Sequence, residues 1–174
     1  MVVITISGPS GSGKSTIAQM LAKRLNVKYY SIGQFFREKA GEAGMDIKAF
    51  TKRAPKEFHL EADDHVDKLS KKGNVVLDGR LVGYMASGAD FRIYLTAPLD
   101  VRAKRIANRN GISEREAKKL ITAREEEHLG IFSKIYGLDV EKLDIYDLVL
   151  NTEFYDINEV LTLVEKFVRT ALKI

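Results

Sequence analysis

The stretch Gly8-Pro9-Ser10-Gly11-Ser12-Gly13-Lys14-Ser15-Thr16 constrains this chain more than any other. It satisfies the phosphate-loop pattern G-x-x-x-x-G-K-[ST] at every fixed position. The flanks agree with it: Val2–Ile6 predicts a buried strand and Ile17–Leu25 a helix. Strand, loop and helix together form a cradle for the phosphates of a nucleotide. Glycines allow backbone dihedrals that side chains forbid and let the main chain approach a ligand closely. The helix opens near Lys14 and adds free N–H groups and a positive dipole end. Lys14 is expected to reach the β- and γ-phosphates, and the Ser15 hydroxyl to coordinate magnesium.

Beyond the loop, strand and helix patterns alternate, which argues for an α/β fold with a parallel sheet. The further strands expected are Lys28–Tyr30, Asn74–Leu77, Phe91–Leu95 and Tyr146–Leu150. Asn74–Leu77 and Leu148–Leu150 are nearly continuous apolar runs, as in strands covered on both faces. Helices are expected over Gln34–Ala40, Glu57–Lys72 (turning Leu60, Val66 and Leu69 inward) and Leu99–Asn108. Ser113-x-x-Glu116 reads as a capping box opening a polar helix through about His128. A last helix opens at Asp156-x-x-Glu159 and docks through Val160, Val164, Val168 and Ala171. Two charged stretches, Gly33–Lys72 and roughly Lys104–Gly130, leave from the carboxyl ends of strands as helical insertions, where open α/β sheets bind ligands.

At 174 residues the chain is long enough for one domain with a proper core and short for two. A net charge of +4 is mild, so nucleic-acid binding is not expected. The absence of cysteine excludes disulfides, thiolate zinc sites and cysteine nucleophiles. The first apolar run ends in the phosphate loop, unlike a signal peptide, and no run approaches a membrane span. A cytoplasmic enzyme is the simplest expectation.

Other residues suggest chemistry at the same edge. Val75–Leu77 is an apolar strand ending in Asp78-Gly79-Arg80. An acid there lies near magnesium, directly or through water, and the planar fork of Arg80 suits a second phosphate. After strand two, Ser31 either caps the next helix or touches ligand, and Arg37 could hold an acceptor phosphate. Phe35 and Phe36 either wall a base or join the core. Arg102, Arg105 and Arg109 recur at helical spacing, with Arg124 on the next helix. They form either a solvated basic face or the positive charge that phosphoryl transfer needs. The three histidines, His59, His65 and His128, show no metal-ligand spacing.

Taken together, these segments resemble the cytidylate kinases, in particular their short archaeal-type members. The resemblance rests on residues 8–16, Ser31-x-Gly33-x-x-Phe36-Arg37, Gly73–Leu81, Ala97-Pro98-Leu99-x-Val101-Arg102-x-x-Arg105-Ile106 and Ile145–Thr152. It implies transfer of the γ-phosphoryl of ATP to CMP or dCMP with Mg2+. The fold it implies is a P-loop nucleoside-monophosphate-kinase-like three-layer sandwich. That fold has a mostly or wholly parallel five-stranded sheet, in one domain over residues 1–174. Residues 33–72 would be the acceptor-binding insertion and residues 104–130 a lid.

By the same resemblance, Gly8 to Thr16 match the ATP loop, while Ser31, Arg37 and Arg80, with the adjoining Asp78 and Gly79, match the acceptor site. Arg105, Arg109 and Arg124 match lid arginines that join Lys14 around the transferred phosphate. Ser15 and Asp78 would serve the metal, and Asn151-Thr152 would lie beside the adenine. Leu81 replaces an acid that helps read cytosine in the bacterial form, and Glu127 and Ile131 stand where that form has arginines. The base-reading residues therefore do not carry over. Asp63, Asp64 and Arg53 are chemical candidates for that role.

The partners expected are the two nucleotides, with no nucleic acid or membrane, in a monomer or small homo-oligomer. A kinase for AMP, UMP or shikimate is the second reading. A nucleotide switch or RNA-associated NTPase is the third, and no extra partner-binding segment is evident for it.

Overall fold

The β-branched residues that dominate Val3–Ser7 build a central strand, β1, buried along its whole length. In the computed structural model, which describes residues 1–137 and 142–174, four more strands join it. They are β2 (Lys28–Ser31), β3 (Val75–Asp78), β4 (Phe91–Thr96) and β5 (Leu148–Asn151). All pairs are parallel, in the order β2-β3-β1-β4-β5. The expected parallel five-stranded α/β sheet is therefore present, with each strand within two residues of its expected bounds.

Side chains alternate across the sheet and feed two cores. Ile4, Ile6, Val76, Ile93 and Leu95 pack on one face. They meet Ile17 and Leu21 of α1 (Lys14–Leu25) and Leu161 and Val164 of α8 (Ile157–Leu172). On the other face, Val3, Val75 and Leu77 meet Val66 of α4 (Lys56–Lys72) and Val82 of α5 (Val82–Met85). A third cluster joins α6 (Leu99–Asn110) to α7 (Glu114–Tyr136) through Ala103, Ile106, Ala107, Ala117 and Ile121. Between β2 and β3 lie α2 (Ile32–Glu42) and α3 (Ile47–Arg53) as well as α4.

The helix ends follow local chemistry. Asp156 and Glu159 form a full capping box on α8. Ser113 accepts from the Glu116 N–H at 3.2 Å to start α7, and Gly111 ends α6 in the left-handed region.

Several expectations need correcting. Leu60 is 43% exposed; α4 instead turns His59, Ala62, Asp63 and Val66 inward. Ala171 is exposed, and Leu161 takes its place in the seam of α8. Val149 is exposed because β5 lies at the sheet edge and only its Leu148 and Leu150 face a core. Helix α7 runs past His128 to Tyr136. The short helices α3 and α5 were not anticipated.

Register decides what meets at the carboxyl edge. Ser31 pairs with Asp78, and Asp78 with Ile6, immediately before the phosphate loop. On the other side, Ser7 pairs with Tyr94 and Thr96 with Asn151. One edge thus collects the loop, Ser31, Asp78 and the Asn151–Thr152 turn.

Candidate active site

The loop backbone is shaped by contacts that leave no room for side chains. A Cβ on Gly8 would lie 2.1 Å from the Leu95 carbonyl oxygen, and one on Gly11 2.8 Å from that of Arg102. Both residues also have positive φ. Ser10, Gly11, Lys14 and Ser15 border a cleft of about 220 Å³. Gly8, Pro9, Ser12, Gly13 and Thr16 complete the loop and the first turn of α1 behind them.

The same cleft gathers Ser31, Gly33, Phe36 and Arg37 from β2 and α2, and Asp78, Gly79 and Arg80 from the end of β3. Arg109 comes from α6 and Arg124 from α7. A second cavity of about 400 Å³ adjoins it, sharing Ser10, Arg109, Arg124 and His128.

Each predicted side chain can be located. Ser31 is buried, and its Oγ accepts from the Gln34 N–H at 3.3 Å, so it caps α2 while it lines the cleft. Arg80 donates to Ser10 Oγ at 2.7 Å, which ties this side chain to the phosphate loop. Asp78 is buried; its Oδ2 accepts from the Tyr29 hydroxyl at 3.1 Å, and burial with this charge raises that phenol to about 12. Among the described residues nothing hydrogen-bonds to Asp78 Oδ1. Phe36 lines the cleft, whereas Phe35 stacks on Phe58 and His65.

The arginines of α6 go three ways. Arg109 enters the cleft. Arg102 is buried, donating to the carbonyls of Ala97 (2.9 Å) and Ser10 (3.1 Å) and pairing with Glu125 of α7 at 2.7 Å. It braces the loop against α7. Arg105 donates to Oγ1 (2.8 Å) and O (2.7 Å) of Thr152, whose hydroxyl also lies 3.2 Å from the Ser12 carbonyl. Arg105 is therefore turned to the opposite flank of the loop and does not border the cleft.

The field inside is positive. Burial lowers the Lys14 ammonium to about 8, and Arg80, Arg124 and Arg109 push the same way while Asp78 opposes them. Arg80 falls to about 10 through burial and then Arg124. Arg124 is lowered by lost hydration, then by Arg37 and Arg109. Five cations thus converge on one opening, and a polyanion is what would relieve them.

Of the three base-reading candidates, only Asp63 lines the cleft. Asp64 pairs with Lys68 on the surface at 2.5 Å, and Arg53 is exposed. His59, His128, Phe132 and Tyr136 also line it and were missed as binding residues. Burial, with Arg80, Arg124 and Lys14, drives His128 down to about 3, so the ring is neutral there. A signal existed: His128, Ile131, Phe132, Ile135 and Tyr136 recur at helical spacing beyond the expected helix end. Among the described residues no cluster of His, Cys, Asp or Glu could hold a metal by itself, and no helix is long and apolar enough to cross a membrane.

Known proteins with similar sequences and folds bear on this arrangement. Residues 3–154 match the sequence profile of the cytidylate kinase-like family. The chain is 47% identical to a cytidylate kinase of Ignicoccus hospitalis over 155 residues, covering 87% of this chain and 90% of that one. It is 39% identical to a cytidylate kinase of Staphylothermus marinus, covering 99% of each. By fold it is similar to the shikimate kinase of Bacteroides thetaiotaomicron, with a TM-score of 0.63 at 17% identity and 99% of each chain covered.

Proposed function

The chain belongs to the cytidylate kinase-like family, and from that membership we propose that it transfers the γ-phosphoryl of ATP to CMP or dCMP, giving ADP and CDP or dCDP. One observation carries the reading at this site: Lys14 of the phosphate loop shares a single cleft with Arg37, Arg80, Arg109 and Arg124. A loop that binds one nucleotide's phosphates needs no such opposing set. Two phosphate-bearing substrates brought together do need one.

In this reading the loop from Gly8 to Thr16 cradles the donor phosphates. Arg37 and Arg80, with Ser31 and Gly79, hold the acceptor phosphate. That phosphate is already an anion, so no general base is required. Positioning and charge neutralisation by Lys14, Arg109 and Arg124 carry the rate. Arg105 acts from the donor side, through Thr152 and the Ser12 carbonyl.

The residues fit a divalent cation brought in with the donor: Asp78 has a buried oxygen without a hydrogen bond among the described residues, and Ser15 is exposed at the start of α1. Ser15 and Asp78 would hold Mg2+, which when bound screens the charge of the donor phosphates.

The test is a coupled assay over CMP, dCMP, UMP, AMP and shikimate at saturating ATP. Turnover should be greatest with CMP or dCMP. No preference for these over the other acceptors would overturn the reading.

A further inference from the structure

Phe36 of α2 and Phe132 of α7 bring two aromatic rings to the lining of the cleft. Two buried carboxyls line the cleft: Asp78, which acts on Lys14, and Asp63 of α4, 9% exposed. Asp63 Oδ2 accepts from the Tyr136 hydroxyl, which comes from the last turn of α7. The Tyr136 hydroxyl engages Oδ2 and not Oδ1.

Burial raises this carboxyl to about 6 against the Tyr136 hydrogen bond. A buried carboxyl in a cleft that two aromatic rings also line suits the edge of a base. Leu81, which lines the cleft three residues past the end of β3, offers no polar side-chain atom for that task.

Cytosine differs from uracil in one edge. Its exocyclic amine donates where uracil presents a carbonyl acceptor. An oxygen aimed at that edge favours cytosine; an amide N–H there favours uracil. Resting on the cytidylate reading above, we propose that Asp63, oriented by Tyr136, is the residue that selects cytosine over uracil by accepting from the exocyclic amine. Tyr136 is a positioning residue: by occupying Oδ2 it leaves Oδ1 for the base.

The experiment compares kcat/KM for CMP and UMP in the unaltered protein and in Asp63→Asn, which keeps the volume and places an N–H₂ donor beside an oxygen. With Tyr136 holding the amide oxygen, the donor faces the base. The CMP-to-UMP ratio should fall roughly 10- to 100-fold, the range for losing a hydrogen bond to a charged group. A ratio unchanged, or both acceptors weakened equally, would make Asp63–Tyr136 a structural tie between α4 and α7 and overturn the proposal.

If Asp63→Asn does not fold, Tyr136→Phe carries the test. The KM for CMP should rise more than kcat falls, with UMP little affected; equal effects on both acceptors would again overturn it. An unaltered protein inert on CMP would refute the function itself. A protein active on CMP whose variants keep its selectivity would refute only the role of Asp63.

Discussion

Lys14 sits among like charges, and its response to pH follows from that. Its folded pKa is about 8, below the ordinary 10.5, because burial and three arginines outweigh Asp78. The unfolded chain therefore binds more protons between those values, and the free protein gains stability as pH rises from about 8 towards 10.5. Catalysis runs the other way, since the donor phosphates need the charged form. The kcat/KM for ATP should fall above pH about 8. ATP binding at alkaline pH should take up a proton, measurable by calorimetry in buffers of different ionisation enthalpy. Binding without proton uptake would contradict the shift.

Lys14→Ala should remove about 3–4 kcal/mol of transition-state stabilisation, of the order seen for a major electrostatic contact. Near-native turnover would rule out the assigned cradle. Arg37, which borders the cleft from α2, should act on one substrate. Arg37→Ala is expected to raise the acceptor KM and leave ATP binding intact in steady-state kinetics; an unchanged acceptor KM would assign Arg37 to the surface.

Among elements, the contact between the phosphate loop and α7 depends on one side chain. Arg102 is buried and joins Ser10, Ala97 and Glu125 at once. Arg102→Ala would strand the Glu125 carboxylate and two carbonyls. It should cost about 3 kcal/mol, the low end for breaking a buried pair because Glu125 is partly exposed. For a chain of this size that is a fall of roughly 5–15 °C in melting temperature. A melting temperature within a degree of the parent would show that α6 and α7 are held by their own apolar cluster alone.

Element existence was readable from sequence where the pattern was local. The strand at Val3–Ser7 is β-branched at every residue before Ser7, and the capping box at Asp156 and Glu159 marks a helix start without outside help. The errors fell where a neighbour decides. Val149 is as apolar as Leu148, yet only the edge position of β5 leaves it uncovered. Leu60 lost its inward place to His59 and Asp63, because that face of α4 lines a polar cleft as well as a core.

At the scale of the whole molecule, the cleft concentrates cations that repel one another, and ligand anions relieve that repulsion. ATP with CMP should therefore stabilise the fold. At about a hundred times Kd, one ligand contributes about 2.7 kcal/mol, a rise of roughly 5–10 °C in a thermal melt. No shift with either nucleotide would remove the cleft as their site.

The sequence by itself determined the phosphate loop, the parallel α/β sheet and the family, because these rest on φ constraints, β-branched runs and motifs that neighbouring residues complete. Only the tertiary structure sorted the arginines of α6, sending Arg102 to a brace, Arg105 to Thr152 and Arg109 into the cleft. Only it brought Asp63 to Tyr136. Their spacing along the chain is equally helical in every case. What separates them is where α4, α6 and α7 settle against the sheet and one another, which long-range packing fixes and no local pattern encodes.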